Sequence, residues 1–95
     1  MSKPKAINIL GKTYQIHYKD LRADHAFGLT DNRKAIILID KSLTGKELEQ
    51  TLLHEFFHAV LYRTGATLAM HGDLEEVVVD SIATFLVDIY DFHLE

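Results

Sequence analysis

Alternating hydrophobic and polar positions in the first part of the chain predict two β-hairpins. Residues 6–10 and 14–18 alternate on either side of a turn at Gly11. Residues 26–30 and 35–39 flank a polar cluster, and the later run is apolar enough for a strand that is covered on both faces. The pattern therefore predicts four short antiparallel strands.

A helical spacing of apolar residues replaces this alternation in the second half of the chain. Thr44 and Glu47 fit a capping box, so a helix is expected to begin at Thr44 and to end at Gly65, which can adopt the left-handed conformation. After a linker, a last helix is expected over residues 74 to about 92, with Asp73 as its N-cap. Together the elements predict one α+β domain spanning the whole chain, in which the first helix packs on a small antiparallel sheet and the last helix lies alongside.

The central feature of the first helix is an H-E-x-x-H motif, His54-Glu55-Phe56-Phe57-His58. Residues four apart on a helix have Cβ atoms about 5–6 Å apart, so both imidazoles can bind one ion. Glu55 lies on the turn between them, where it can act as a general base toward a water activated by the metal. Apolar residues cover most of the rest of the helix, which indicates a buried helix whose one polar stripe carries the motif. The alternative is a helix whose two histidines happen to lie at a solvent edge.

A catalytic zinc site usually has three protein ligands, so a third His, Asp or Glu is required. Glu75 and Glu76 open the last helix, although the helix dipole by itself favours acidic residues there. Glu75 falls at the centre of the apolar face and is expected to point inward. Glu76 and Asp80 form an E-x-x-x-D pattern, in which Glu76 binds the metal and Asp80 accepts the N–H of a ligand histidine. Glu76 is favoured as the third ligand, and Glu75 and His71 remain alternatives.

Two further side chains are candidates for stabilising a developing oxyanion. Tyr62 lies one turn beyond His58, and His71 lies in the linker between the two helices. Each also has an ordinary interpretation, because a tyrosine at the margin of a core and a solvated histidine in a loop are common.

Composition narrows the class of protein. Hydrophobic residues make up 47% of the 95-residue chain, which is enough for one core. The formal net charge of −4 argues against a nucleic acid or an anionic membrane surface as a partner. Because the chain has no cysteine, any bound metal must use His, Asp or Glu. No signal-peptide core or membrane-length apolar run is present, so a cytoplasmic protein is expected.

The motif and the acidic pair together resemble a known family. Residues 51–62, followed after the linker by residues 74–85, are similar to the small gluzincin-type metallopeptidases of the ImmA/IrrE kind and their minimal phage and prophage relatives. The resemblance implies a zincin-like fold and a location in the cytoplasm of a bacterium or of a phage-infected host. It also implies a role for five residues. His54, His58 and Glu76 would be the zinc ligands, Glu55 would be the general base, and Asp80 would accept the N–H of a ligand histidine.

The function expected from the sequence is therefore zinc-dependent hydrolysis of a peptide bond in a peptide or protein substrate. An extended substrate would pair with an exposed strand edge of the second hairpin. The alternative function is that of a zincin-fold binding or regulatory protein whose metal site is structural or vestigial. This alternative is kept because a short chain has little wall from which to build a specificity cleft.

Overall fold

The chain forms four strands followed by two long helices, in a computed structural model that describes residues 3–90. The strands are β1 (Ala6–Ile9), β2 (Lys12–Lys19), β3 (Gly28–Asp31) and β4 (Ile36–Asp40), and the helices are α1 (Gly45–Thr64) and α2 (Gly72–Tyr90). The predicted α+β class, with a small sheet and two helices, is confirmed.

The sheet is mixed, with the strand order β1-β2-β4-β3. Both predicted hairpins are present, because β1 pairs with β2 and β3 pairs with β4 in antiparallel fashion. The prediction of a fully antiparallel sheet is wrong, because β2 and β4 are parallel. After β2 the chain makes a 3₁₀ turn at Arg22–Asp24 and crosses to the outer edge, and β4 then returns beside β2. This order places the most apolar strand in the centre of the sheet and leaves β3 as an edge strand.

The main core lies between the sheet and α1. Tyr14 of β2, Ile37 and Ile39 of β4, and Leu52 of α1 are all fully buried there. The alternate residues of β4, Ile36 and Leu38, are only half-buried. The expectation that both faces of this strand are covered is therefore wrong, because α1 packs on the face that carries Ile37 and Ile39, while Ile36 and Leu38 line a surface cavity.

The helix ends agree only in part with the predicted signals. Thr44 is the N-cap of α1, but its side chain makes no capping hydrogen bond, so the predicted box does not form. Gly65 ends the helix as expected, with a φ of 84° and its N–H bonded to a carbonyl of the last turn. Helix α2 begins at Gly72, which places Asp73 inside the first turn and not at the N-cap. The predicted end near Phe92 lies outside the described residues.

Asp40, at the end of β4, ties the crossover to the centre of the sheet. Its side chain is 5% exposed and accepts hydrogen bonds from the Ser42 hydroxyl and from the Leu21 N–H, the latter at 2.8 Å. These hydrogen bonds, above all the one from the Ser42 hydroxyl, hold the pKa of the Asp40 carboxyl below its ordinary value. The carboxylate thus stabilises the turn that sends β3 to the sheet edge, where it reaches α1.

Candidate metal centre

Helix α1 presents the H-E-x-x-H motif toward β3 and α2. His54 and His58 lie on successive turns, and their Nε2 atoms are 3.2 Å apart. Both imidazoles are partly buried, with side-chain exposures of 19% and 16%. The helical spacing therefore brings one nitrogen of each ring to a common point, as the sequence predicted.

Helix α2 brings Glu76 to the same point. Its Oε1 lies 2.6 Å from Nε2 of His54, and its Oε2 lies 3.1 Å from Nε2 of His58. The helix is held in this register because Ala83 and Val87 pack in one buried cluster with Leu53 of α1. His54, His58 and Glu76 each offer a ligand atom, and these atoms lie within 4.8 Å of one another, so the group can hold a metal ion.

The separation of the two Nε2 atoms and the position of the ring hydrogen on His58 fit a bound cation. Tetrahedral zinc with ligands at about 2.0–2.1 Å holds neighbouring ligand atoms roughly 3.3 Å apart, close to the 3.2 Å between the two Nε2 atoms. Nδ1 of His58 lies 2.6 Å from the Glu75 carboxylate, which only accepts, so this nitrogen carries the ring hydrogen. In the neutral ring Nε2 then directs a lone pair at the Glu76 carboxylate, an arrangement that a cation between them stabilises.

The structure gives Glu75 a different position from the one weighed in the sequence. Its Oε2 contacts Nδ1 of His58, on the side of the ring away from the Nε2 pair, and its side chain is 14% exposed. Glu75 therefore contacts His58 from the side opposite the cluster, where it can orient the ring, and it does not join the cluster. The helical wheel indicated this inward direction, although Ile82 and Ile89 of the same predicted apolar face are exposed.

Asp80 lies near His54 but does not bond to it. Its Oδ1 is 3.6 Å from Nδ1 of His54, beyond hydrogen-bond distance, and its side chain is 64% exposed. The E-x-x-x-D spacing predicted that Asp80 accepts a hydrogen bond from a histidine of the motif. In the structure Glu75 makes that contact instead, and it makes it to His58.

Glu55 is buried against β3. Its side chain accepts a hydrogen bond from the Thr30 hydroxyl, with 2.6 Å between Oγ1 and Oε1, and the residue is 6% exposed. Burial raises the pKa of the Glu55 carboxyl, while the Thr30 hydroxyl and the neighbouring histidines act in the opposite direction. Sequence reasoning missed Thr30, because no local pattern shows which strand residue faces the helix.

Gly28 allows β3 to approach this close. A Cβ atom on Gly28 would lie 2.9 Å from Cγ of Glu55 and 3.0 Å from both Oε2 of Glu55 and Cγ2 of Thr51. Such distances are shorter than van der Waals contact, so only glycine fits without a shift of its neighbours. A glycine that opens a strand was the available sequence signal, since glycine in a strand often marks a close approach of another group.

A cleft runs past the cluster along the edge of the sheet. On one side of the cluster it forms a cavity of about 390 Å³ that includes Phe27 and Glu47. On the other side it forms a cavity of about 410 Å³ that includes Leu29 and Asn32. Both cavities share Gly28, His54, Glu55 and Glu76, whereas His58 lines only the second one. The cluster therefore lies where the two cavities meet.

Tyr62 and His71 lie away from the cleft. Tyr62 is 42% exposed, and the Arg63 guanidinium lies 5.4 Å from the centre of its ring. His71 is exposed just before α2, and neither residue lines the two cavities. Within the described part of the chain, neither residue is therefore in a position to donate a hydrogen bond to an oxyanion in the cleft. His71 is also too far from the cluster to serve as its alternative metal ligand.

Comparisons with protein-family models, curated proteins and solved structures gave no match for this chain. Within residues 3–90, no helix is both long enough and apolar enough to cross a membrane. Fold and site geometry therefore define a small α+β protein with a candidate metal centre of two histidines and one glutamate.

Proposed function

We propose that this protein is a zinc-dependent peptidase. The observation that carries the proposal is the convergence of His54 Nε2, His58 Nε2 and the Glu76 carboxylate in a cleft that also contains the buried Glu55 carboxylate. Two imidazole nitrogens and one carboxylate oxygen form a donor set that suits zinc and leaves a further coordination position. The resemblance of the two motif helices to ImmA/IrrE-type metallopeptidases supports the same function.

Each group of the chain has a defined task in the proposed reaction. Zinc, when bound, would supply a Lewis acid and lower the pKa of a water molecule that it holds. Glu55 would act as the general base through Oε2, because Oε1 is engaged by the Thr30 hydroxyl, taking a proton from the attacking water and passing it to the leaving amine. Glu75 keeps the His58 ring in the tautomer that offers Nε2 to the metal.

The position of β3 supports an extended peptide as substrate. This strand is at the edge of the sheet, pairs with β4 on one side, and borders the cleft along its length. A free strand edge offers main-chain N–H and C=O groups that an extended peptide can pair with. A peptide paired there would pass over the cluster between the two cavities, and its scissile carbonyl would face the metal centre.

The test compares the wild-type protein with the Glu55→Gln variant. Zinc per chain is measured on the purified proteins, and new peptide termini are measured proteome-wide in cells that express each protein. The wild type is expected to generate termini that the variant does not, since general base catalysis typically contributes 10²–10⁴-fold. Zinc content is expected to be equal in both, because Glu55 is not in the ligand cluster.

Two further variants complete this test. Glu49→Gln, on the same helix but outside the cleft linings, should retain the wild-type termini. His58→Ala should lose stoichiometric zinc. If the wild type binds zinc but produces no termini beyond those of Glu55→Gln, the protein is a zincin-shaped binding protein and not a peptidase. If wild type and His58→Ala contain equal zinc, the assigned metal centre is wrong.

A further inference from the structure

Asn32 lies in the turn directly after β3 and lines the cleft on the side of His58 and Glu75. No pattern in the sequence singles out this residue. Because Tyr62 and His71 lie outside the cleft, the proposed reaction has no side chain assigned to donate a hydrogen bond to the substrate. Asn32 is placed to fill that role.

The hydrogen-bond network beneath the turn sets the direction of the Asn32 amide. The Tyr14 hydroxyl accepts a hydrogen bond from Nε of Arg63 at 3.0 Å and contacts Oδ1 of Asn32 at 2.8 Å. A guanidinium only donates, so the single hydroxyl hydrogen of Tyr14 is free to go to Asn32. The Asn32 atom that receives it must be the carbonyl oxygen, which assigns Nδ2 to the other branch of the amide.

The support for this amide is rigid. Tyr14 is fully buried in the main core, and Nη2 of Arg63 also donates to the main-chain carbonyl of Asn32 at 3.3 Å. The turn itself is held by Asp31, whose Oδ1 accepts the N–H of Lys34 at 3.0 Å. A donor held in one direction by such a network loses little conformational freedom when it binds a ligand.

The Nδ2 group of Asn32 remains available for such a ligand. Among the described residues it donates to no protein atom, and it is not one of the buried polar atoms that lack a partner. Asn32 also follows Asp31, the last residue of the edge strand, so main-chain pairing with a peptide would end at this point. Because Asn32 itself lines the cavity, its side-chain amide can supply one more donor beyond the end of that pairing.

We propose that Nδ2 of Asn32 donates a hydrogen bond to a main-chain carbonyl of the peptide in the cleft, on the His58 side of the metal centre. Asn32 is then a substrate-binding residue, and Tyr14 is a positioning residue that acts through it. The contact is to the peptide backbone, so it contributes to binding for any side-chain sequence. This inference rests on the proposed function and names a contact that the enzyme uses to hold its substrate.

The test measures binding of three hydroxamates to the zinc-loaded protein. Acetohydroxamate reaches the metal alone, and two tetra-alanine probes carry the hydroxamate at either the C-terminus or the N-terminus, so that each extends to one side of the metal. Removal of a neutral hydrogen bond is expected to weaken one tetra-alanine probe about 2–10-fold in Asn32→Ala. Acetohydroxamate binding should be unchanged.

Asn32→Asp is the second variant, because it keeps an oxygen for the Tyr14 hydroxyl and replaces the donor by an acceptor. It should weaken the same probe at least as much as Asn32→Ala does. Arg33→Ala, an exposed neighbour in the same turn, is the matched control and should bind all three probes as the wild type does.

The outcomes separate this inference from the proposed function. If the tetra-alanine probes bind wild type more tightly than acetohydroxamate but neither Asn32 variant changes this, the assignment of Asn32 is wrong and the peptidase proposal stands. If neither tetra-alanine probe binds wild type more tightly than acetohydroxamate, the cleft is not a peptide site and both proposals fail. A loss confined to one tetra-alanine probe in both Asn32 variants supports the contact.

Discussion

Gly28→Ala tests the close approach of β3 to the motif helix without any assumption about function. The added Cβ atom would lie 2.9 Å from Cγ of Glu55 and 3.0 Å from Cγ2 of Thr51. Glu55 cannot move aside freely, because it is buried and its carboxylate is bonded to Thr30 at 2.6 Å. Overpacking of this kind typically lowers the free energy of unfolding by about 1–3 kcal/mol.

Gly72→Ala is the matched control for this variant. Neither Gly28 nor Gly72 has a positive φ, and nothing lies within 4 Å of a Cβ placed on Gly72. Both substitutions reduce the conformational freedom of the unfolded chain and thereby stabilise the protein by about 0.4–1 kcal/mol. The difference between the two variants therefore isolates the steric effect at β3.

Urea and thermal unfolding followed by circular dichroism measure that difference. Gly28→Ala should unfold at lower urea concentration and lower temperature than Gly72→Ala, by roughly 4–8 °C for each kcal/mol. Zinc per chain should be the same in both variants, since the three residues of the candidate metal centre are on α1 and α2. Equal stability of the two variants would show that β3 does not lie against Glu55.

Three further predictions concern single side chains. Thr30→Val should lower the free energy of unfolding by about 1.5–3 kcal/mol, because it removes the donor to the buried Glu55 carboxylate, and Thr30→Ser should restore most of it; equal urea midpoints for the two would contradict this bond. Glu75→Ala should weaken zinc affinity about 10–100-fold in a chelator competition, since His58 loses its partner on Nδ1, and an unchanged affinity would remove the orienting role. Asp40→Asn should be less stable than wild type at neutral pH, by a margin that shrinks as pH falls below about 4. The folded-state pKa of Asp40 is lowered, so its contribution is present above the unfolded-state pKa and is lost as the carboxylate becomes protonated; a margin independent of pH would contradict the assignment.

The sequence by itself determined the features that depend on local spacing. Alternation identified both hairpins, and helical spacing identified both helices, because each pattern reflects neighbours within one element. The same reasoning placed His54 and His58 on one face of α1, since residues four apart on a helix must lie near each other. The end of that helix at Gly65 also followed from a local conformational preference.

Only the tertiary structure decided how these elements meet. The parallel pairing of β2 with β4 joins segments that are far apart in the chain, and no local pattern carries that information. The register between α1 and α2 likewise assigns Glu76 to the Nε2 atoms of both histidines and Glu75 to Nδ1 of His58. A helical wheel gives the direction of each side chain, but the packing of Ala83 and Val87 on α1 decides what that side chain reaches.

The same reason explains why three residues of the cleft were not predicted. Thr30, Gly28 and Asn32 belong to β3 or to the turn after it, and each acquires its role from a group elsewhere in the chain. Their positions follow from the crossover that takes β3 to the sheet edge, and that crossover depends on contacts that form only when the sheet is assembled. The motif alone thus predicts where a metal can bind, and the fold decides which side chains orient its ligands and border its cleft.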